Sequence, residues 1–98
     1  MDNERYVISI KAFKDVMGKP CEEWRYAGID SGSYGSGYPC WCYSEHGGKS
    51  FYSIEDARKW FNECKQYLFG TYYNRNDFDM TTLAIRKVIY KKEVSLTI

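Results

Sequence analysis

The sequence contains few of the residues on which most catalytic sites depend. Its 98 residues include a single histidine, His46, which lies in a Gly-Gly turn, so a Cys–His nucleophilic pair is not favoured. No apolar run is long enough to span a bilayer. The first ten residues lack the basic and apolar regions of a signal peptide, so we expect a cytoplasmic protein with reduced cysteines.

A strong excess of charge of one sign is also missing. The 14 basic and 13 acidic side chains leave a net charge of +1, which does not favour a dedicated duplex-DNA binder. The chain is instead rich in aromatic residues, at 18%, with ten tyrosines. This length and composition predict one folded domain over residues 1–98. The tyrosines suit either a binding surface or a partly hydrated core.

Alternating apolar residues predict the strands of a sheet. Residues 5–13 (RYVISIKAF) alternate, and residues 82–90 (TLAIRKVIY) carry apolar side chains on both faces, which is typical of a central strand. Shorter strands are predicted at residues 24–29, 39–44 and 49–52, with loops at 14–23, 30–38 and 71–80. Residues 94–98 alternate again, and this last strand could pair within the chain, with a second copy in a homodimer, or with a target protein.

One amphipathic helix is predicted after Ser53. Ser53 is a natural N-cap, Asp56 follows three residues later, and Gly70 supplies a stop. Between them one stripe is formed at helical spacing by Ile54, Ala57, Phe61, Cys64 and Leu68. The sequence therefore predicts an α+β domain, with a mostly antiparallel sheet of four to six strands and one helix packed on one face.

A Gly/Ser-rich stretch, residues 30–43 (DSGSYGSGYPCWCY), contains the most distinctive residues. Its glycines match no phosphate-binding motif, and Cys40-x-Cys42 on a strand does not favour a zinc knuckle, so we expect no metal or cofactor. The stretch suits a mobile hairpin loop, or a site in which a small nucleotide is stacked and hydrogen-bonded. The residues of that nucleotide site would be Arg25, Ser33, Tyr34, Ser36, Tyr38, Trp41 and Lys49.

Basic residues on or beside the strands predicted at residues 5–13 and 82–90 suggest another possibility. If these strands are neighbours, a patch for single-stranded nucleic acid could be formed by Lys11, Lys14, Arg86, Lys87, Lys91 and Lys92. The alternative is that the lysines protect a sheet edge from pairing with another chain.

Two motifs resemble those of small α/β proteins encoded by phages and prophages of Gram-positive bacteria: residues 37–41 (GYPCW) and 51–61 (FYSIEDARKWF). The resemblance covers residues 5–13 and 24–90, but Cys40 stands where tyrosine is usual and Cys42 is additional. These motifs look like fold determinants and imply no enzymatic activity. The resemblance implies a protein in the cytoplasm of a bacterial host. Such small phage proteins blunt host defence by binding a nuclease complex, as anti-CRISPR proteins do, or by sequestering a signalling nucleotide.

The leading hypothesis is therefore a non-enzymatic inhibitor that binds a host defence protein or nuclease complex. Buried aromatic contacts favour Trp and Tyr at protein interfaces. The predicted contact residues are Tyr34, Tyr38, Trp41, Tyr43, Tyr72, Tyr73 and Phe78.

Overall fold

The computed structural model describes residues 3–15, 17–29, 37–71 and 73–90. In this part the chain forms an antiparallel sheet of five strands, packed against one α-helix. The elements are β1 (Asn3–Lys14), β2 (Pro20–Ile29), β3 (Pro39–Cys42), β4 (Ser50–Phe51), α1 (Ile54–Gln66) and β5 (Phe78–Tyr90). The predicted α+β class is confirmed. The predicted strand at residues 94–98 lies outside the described residues.

Strand β1 is the centre of the sheet. Val7 pairs with Ser50 of β4 and also with Arg86 of β5. A strand has only two edges, so β5 runs along one edge of β1, while β4 and β2 share the other, and β3 continues the sheet beyond β2. For the strand predicted as central at residues 82–90, β1 is the only pairing partner among the described residues.

Both faces of β1 are buried, which explains its position. Ile8 and Ile10 face α1 and pack with Ala57 and Leu68 in the core. On the opposite face Val7 and Ser9 have no exposed surface either.

The connection between β1 and β2 is shorter than the predicted loop over residues 14–23. The carboxylate Oδ1 of Asp15 accepts hydrogen bonds from the backbone N–H of Met17 at 2.8 Å and of Lys19 at 2.9 Å. This side-chain turn reverses the chain within a few residues, so β2 already begins at Pro20. Proline is tolerated there because it is the first residue of the strand.

Strand β5 carries a multi-residue bulge opposite Ile10. Ser9 pairs with Ala84, whereas Lys11 pairs with Asp79, so the register shifts between these two pairs. The Thr82 hydroxyl compensates for the interrupted ladder: it accepts from the Lys11 N–H at 2.9 Å and donates to the Asp79 carbonyl at 2.6 Å. The strand thereby extends back to Phe78, into the segment predicted as a loop over residues 71–80.

Helix α1 begins and ends close to the predicted positions. The Ser53 hydroxyl accepts a hydrogen bond from the Asp56 N–H at 3.1 Å, as expected of an N-cap. A wider turn over Tyr67–Thr71 follows the helix and includes Gly70 at φ 153°, a conformation that L side chains rarely adopt. Ile54 departs from the predicted stripe and is exposed. No helix in the described part of the chain has the length and apolarity needed to cross a membrane.

Replacing the cap in Ser53→Ala should lower the free energy of unfolding by about 1 kcal/mol, because the Asp56 N–H loses its acceptor. Urea denaturation measures the change. Ser53→Asp is the matched control, since it restores an acceptor and should remain close to the wild type. A Ser53→Ala protein as stable as the wild type would contradict the role of this cap.

Candidate functional site

A cavity of about 310 Å³ opens where the turn after β1 meets the ends of β2, β3 and β5. We call it the Arg25 cavity. Its walls are formed by four aromatic residues and four charged residues: Trp41, Tyr43, Tyr73, Phe78, Lys14, Asp15, Arg25 and Asp77. Pockets of ligand-binding proteins range from ~300 to 1,000 Å³, so this volume suits a small ligand.

The aromatic wall is held in place by Trp41, which is only 4% exposed. Its indole Nε1–H donates to the carbonyl of Leu68 at 3.0 Å, and its backbone N–H donates to the Tyr73 hydroxyl at 3.2 Å. The ring also packs against Phe69 and Phe78, with centroids 5.5 and 5.6 Å away. The part of the wall around Trp41 and Phe78 therefore belongs to the core and is firmly positioned, whereas the Tyr43 ring is exposed.

Arg25 is the most unusual residue of the cavity, because its charged side chain is almost fully buried. Strand alternation places it on the same face as Ile10, and 5% of the residue is exposed. Nη1 donates to the Glu23 carboxylate at 3.0 Å and the Trp24 carbonyl at 3.2 Å. The Tyr43 ring lies 4.3 Å from the guanidinium carbon. Nη2 is buried and has no hydrogen-bond partner among the described residues.

The remaining charges of the cavity are balanced. Lys14 Nζ lies 3.7 Å from Asp77 Oδ1, and one carboxylate oxygen of Asp15 is occupied by the turn. Two basic and two acidic side chains thus line the cavity. This balance does not favour a polyanion such as a triphosphate, but it accommodates a ligand with one acceptor or anionic group.

Tyr73 contributes a hydroxyl to the cavity wall. Burial raises its pKa, although the hydrogen bond from the Trp41 N–H partly opposes this by stabilising the phenolate. The hydroxyl therefore stays protonated near neutral pH. Since it already accepts from Trp41, it still has its own proton to donate.

The predicted protein-contact residues do not form one exposed surface. Trp41 and Phe78 are buried in the core, and Tyr73 is half-buried, because all three pack in the aromatic cluster around Phe69. Tyr38 and Tyr43 are exposed, as a contact surface requires. Tyr34 and Tyr72 lie outside the described residues.

The predicted nucleotide site is only partly assembled. Arg25 and Trp41 line the same cavity. Lys49 lies elsewhere, with its ammonium nitrogen 5.5 Å from the centre of the Phe51 ring, and the Tyr38 ring packs 6.3 Å from that of Tyr67. Ser33, Tyr34 and Ser36 lie outside the described residues.

The predicted nucleic-acid patch is divided by the sheet. β1 and β5 are neighbours, but Lys87 pairs with Tyr6 on the helix side, whereas Arg86 lies on the opposite face with Lys11. Acidic partners further reduce the positive charge, since carboxylates lie within 4 Å of Lys11, Lys14 and Lys87. The four residues of this set that are described, Lys11, Lys14, Arg86 and Lys87, therefore do not lie together on one face. Lys91 and Lys92 lie outside the described part of the chain.

All four cysteines lie in the described part of the chain, and none of them forms a disulfide bond. The sulfurs of Cys40 and Cys42 are 3.7 Å apart, and burial is the largest cause of a raised pKa at Cys64. Among the described residues no three His, Cys, Asp or Glu side chains converge as metal ligands.

Sequence reasoning missed the contributions of Asp15 and Asp77. They are separated by most of the chain, and no motif links them. The burial of Arg25 could have been predicted. Arg25 and Ala27 are two residues apart on one strand and therefore share a face, and Ala27 is buried.

No protein-family model, curated protein or solved structure matches the chain, so its function has to be inferred from its residues and their geometry.

Removing the indole donor in Trp41→Phe should lower the free energy of unfolding by about 2–4 kcal/mol, because the Leu68 carbonyl loses its partner and the smaller ring leaves a cavity. Denaturant unfolding measures the loss. Trp24→Phe is the control, since Trp24 is 40% exposed and should cost much less. Equal effects at the two positions would show that Trp41 has no special structural role.

Tyr73→Phe tests the raised pKa. Below the ordinary tyrosine pKa of about 10, the wild-type protein retains the full stabilising contribution of the protonated hydroxyl. As the pH rises from there, the unfolded state ionises first and this contribution is lost. The variant should therefore lose less stability between about pH 9 and pH 12, measured by urea denaturation. Parallel pH profiles would contradict this assignment.

Proposed function

We propose that the protein is a non-enzymatic binding protein that holds a small planar ligand of nucleotide type in the Arg25 cavity. The observation that carries the proposal is the partnerless Nη2 of Arg25, a buried cation in the wall of an aromatic-lined cavity. Buried donors in folded proteins nearly always have a partner. A ligand acceptor that reaches the guanidinium would supply one, and displacement of the exposed Tyr43 ring would open the way to it.

Size and chemistry define the class of ligand. A cavity of about 310 Å³ is close to the lower limit for ligand pockets, which favours one nucleotide unit over a dinucleotide. Aromatic walls stack planar rings, a contact worth about 1–3 kcal/mol per base. The balanced charges favour a ligand with a carbonyl edge or a single anionic group.

The resemblance to phage proteins adds a biological setting to the proposal. In a bacterial host, a protein of this kind would sequester a nucleotide that signals infection and thereby weaken an anti-phage defence. Inhibition by direct contact with a defence protein, the other activity that the resemblance implies, remains a prediction. Among the described residues predicted for that activity, Tyr38 and Tyr43 have exposed side chains.

A thermal-shift screen followed by calorimetry tests the proposal. The probes are nucleoside monophosphates, cyclic mononucleotides, free nucleobases and a cyclic dinucleotide. A ligand present at 100 times its Kd should stabilise the protein by about 2.7 kcal/mol. We expect a mononucleotide-sized probe to give the largest shift.

The variants Arg25→Met and Lys14→Gln test whether a bound probe occupies the Arg25 cavity. Arg25→Met keeps the side-chain length and removes the buried charge, so the protein should remain folded while affinity falls about ten- to a hundredfold. Lys14→Gln, at the exposed side of the cavity, should weaken anionic probes alone. Arg86→Gln is the control, because Arg86 stacks on Trp24, on the opposite face of the sheet. No shift with any probe, or unchanged binding by Arg25→Met, would sink the proposal.

A further inference from the structure

A second concave surface lies between α1 and β5. It consists of two adjacent depressions of about 390 and 250 Å³, which share Phe61 and Leu83 as lining residues. We call it the α1–β5 groove. Its floor consists of half-buried apolar side chains, namely Phe61, Phe69, Met80, Leu83 and Ile85.

The rim of the groove is basic. Arg58 and Lys65 flank Phe61 along α1, and Arg75 lies over the Phe69 ring at 5.9 Å. All three cations are exposed, and no acidic residue lines the groove. Among the described residues none of the three has an acidic partner within 4.0 Å, in contrast to Lys11, Lys14, Arg25 and Lys87.

The groove also reaches the outer edge of β5. Ala84 and Ile85 are on opposite faces of β5, since they pair with Ser9 and Ile8, yet both line the smaller depression. Among the described residues β5 pairs only with β1, so within this part of the chain its outer backbone edge has no partner strand. Edge strands of this kind recruit extended peptides through main-chain hydrogen bonds.

We infer that the α1–β5 groove binds an extended acidic segment of another protein, in which carboxylate side chains alternate with apolar ones. The backbone of the segment pairs with the edge of β5, its apolar side chains cover Phe61 and Leu83, and its carboxylates pair with Arg58, Lys65 and Arg75. The basic rim favours a negatively charged partner. The apolar floor favours a segment that also carries apolar side chains over one that is acidic alone. This surface is separate from the Arg25 cavity.

Fluorescence anisotropy with labelled synthetic peptides tests the inference. The probe peptide alternates glutamate with valine and phenylalanine. One comparison peptide has serine in place of the apolar residues, and another has lysine in place of glutamate. We expect the full-length protein to bind the probe at least about tenfold more tightly than either comparison peptide, and less tightly as salt increases.

The double variant Arg58→Glu/Lys65→Glu should weaken probe binding by about tenfold or more. Lys19→Glu/Lys59→Glu is the matched control, with the same change of charge at exposed positions outside the groove, and should stay within about twofold of the wild type. Amide NMR spectra of both variants establish that they are folded, and peptide-induced shifts should cluster at Met80, Leu83 and Ile85.

Four results would overturn the inference. The first is equal loss of binding in the two double variants, which would indicate a non-specific charge effect. The second is equal affinity for the serine-substituted peptide. The third is tighter binding of oligo-dT or of phosphatidylserine vesicles, which would assign the groove to nucleic acid or to a membrane surface. The fourth is self-association in sedimentation runs that the groove variant abolishes, which would make the occupant a second copy of the chain.

Discussion

The indole of Trp41 connects the two layers of the protein. A helix leaves its last carbonyl groups without internal partners, and the Trp41 N–H supplies one to Leu68, just beyond the end of α1. The same residue fixes the loop after the helix through Tyr73 and packs against the start of β5 through Phe78. The placement of the helix on the sheet, the path of that loop and the beginning of β5 therefore all depend on one residue.

This arrangement also explains why the cavity can exist in so small a domain. The aromatic cluster is rigid because its members hold one another, so the space beside it does not collapse. Arg25 borders that space, where β2 holds its backbone and Glu23 pairs with its Nη1. The proposed ligand would have to displace the Tyr43 ring but would find the buried part of the wall already in place, which limits the ordering cost of binding. The same coupling links occupancy of the site to the stability of the whole fold.

The sequence patterns predicted correctly those elements that depend on interactions between residues close together in the chain. The alternation of β1, the Ser53 cap and the turn ended by Gly70 all involve neighbouring residues, and each was predicted close to its place. The central position of β1 was not predicted, because β5 also carries apolar residues on both faces and strand order depends on distant pairing. Nor was the cavity, since Asp15 and Asp77 meet only after β5 has paired with β1. Trp41 was predicted at an interface and lies in the core, because from sequence alone a tryptophan is equally compatible with both positions.

The pairing of β1 with β5 has a consequence for biosynthesis. Asn3 pairs with Tyr90, so one whole edge of the first strand emerges from the ribosome long before its partner has been made. During that interval the nascent chain presents an unpaired apolar strand, which is the kind of segment that recruits chaperones or pairs with neighbouring nascent chains. The multi-residue bulge helps to fix the final registration, because the Thr82 hydroxyl can bond to the Lys11 N–H in only one alignment of the two strands. The sheet around β1 can therefore be completed only after β5, its last described strand, has been made.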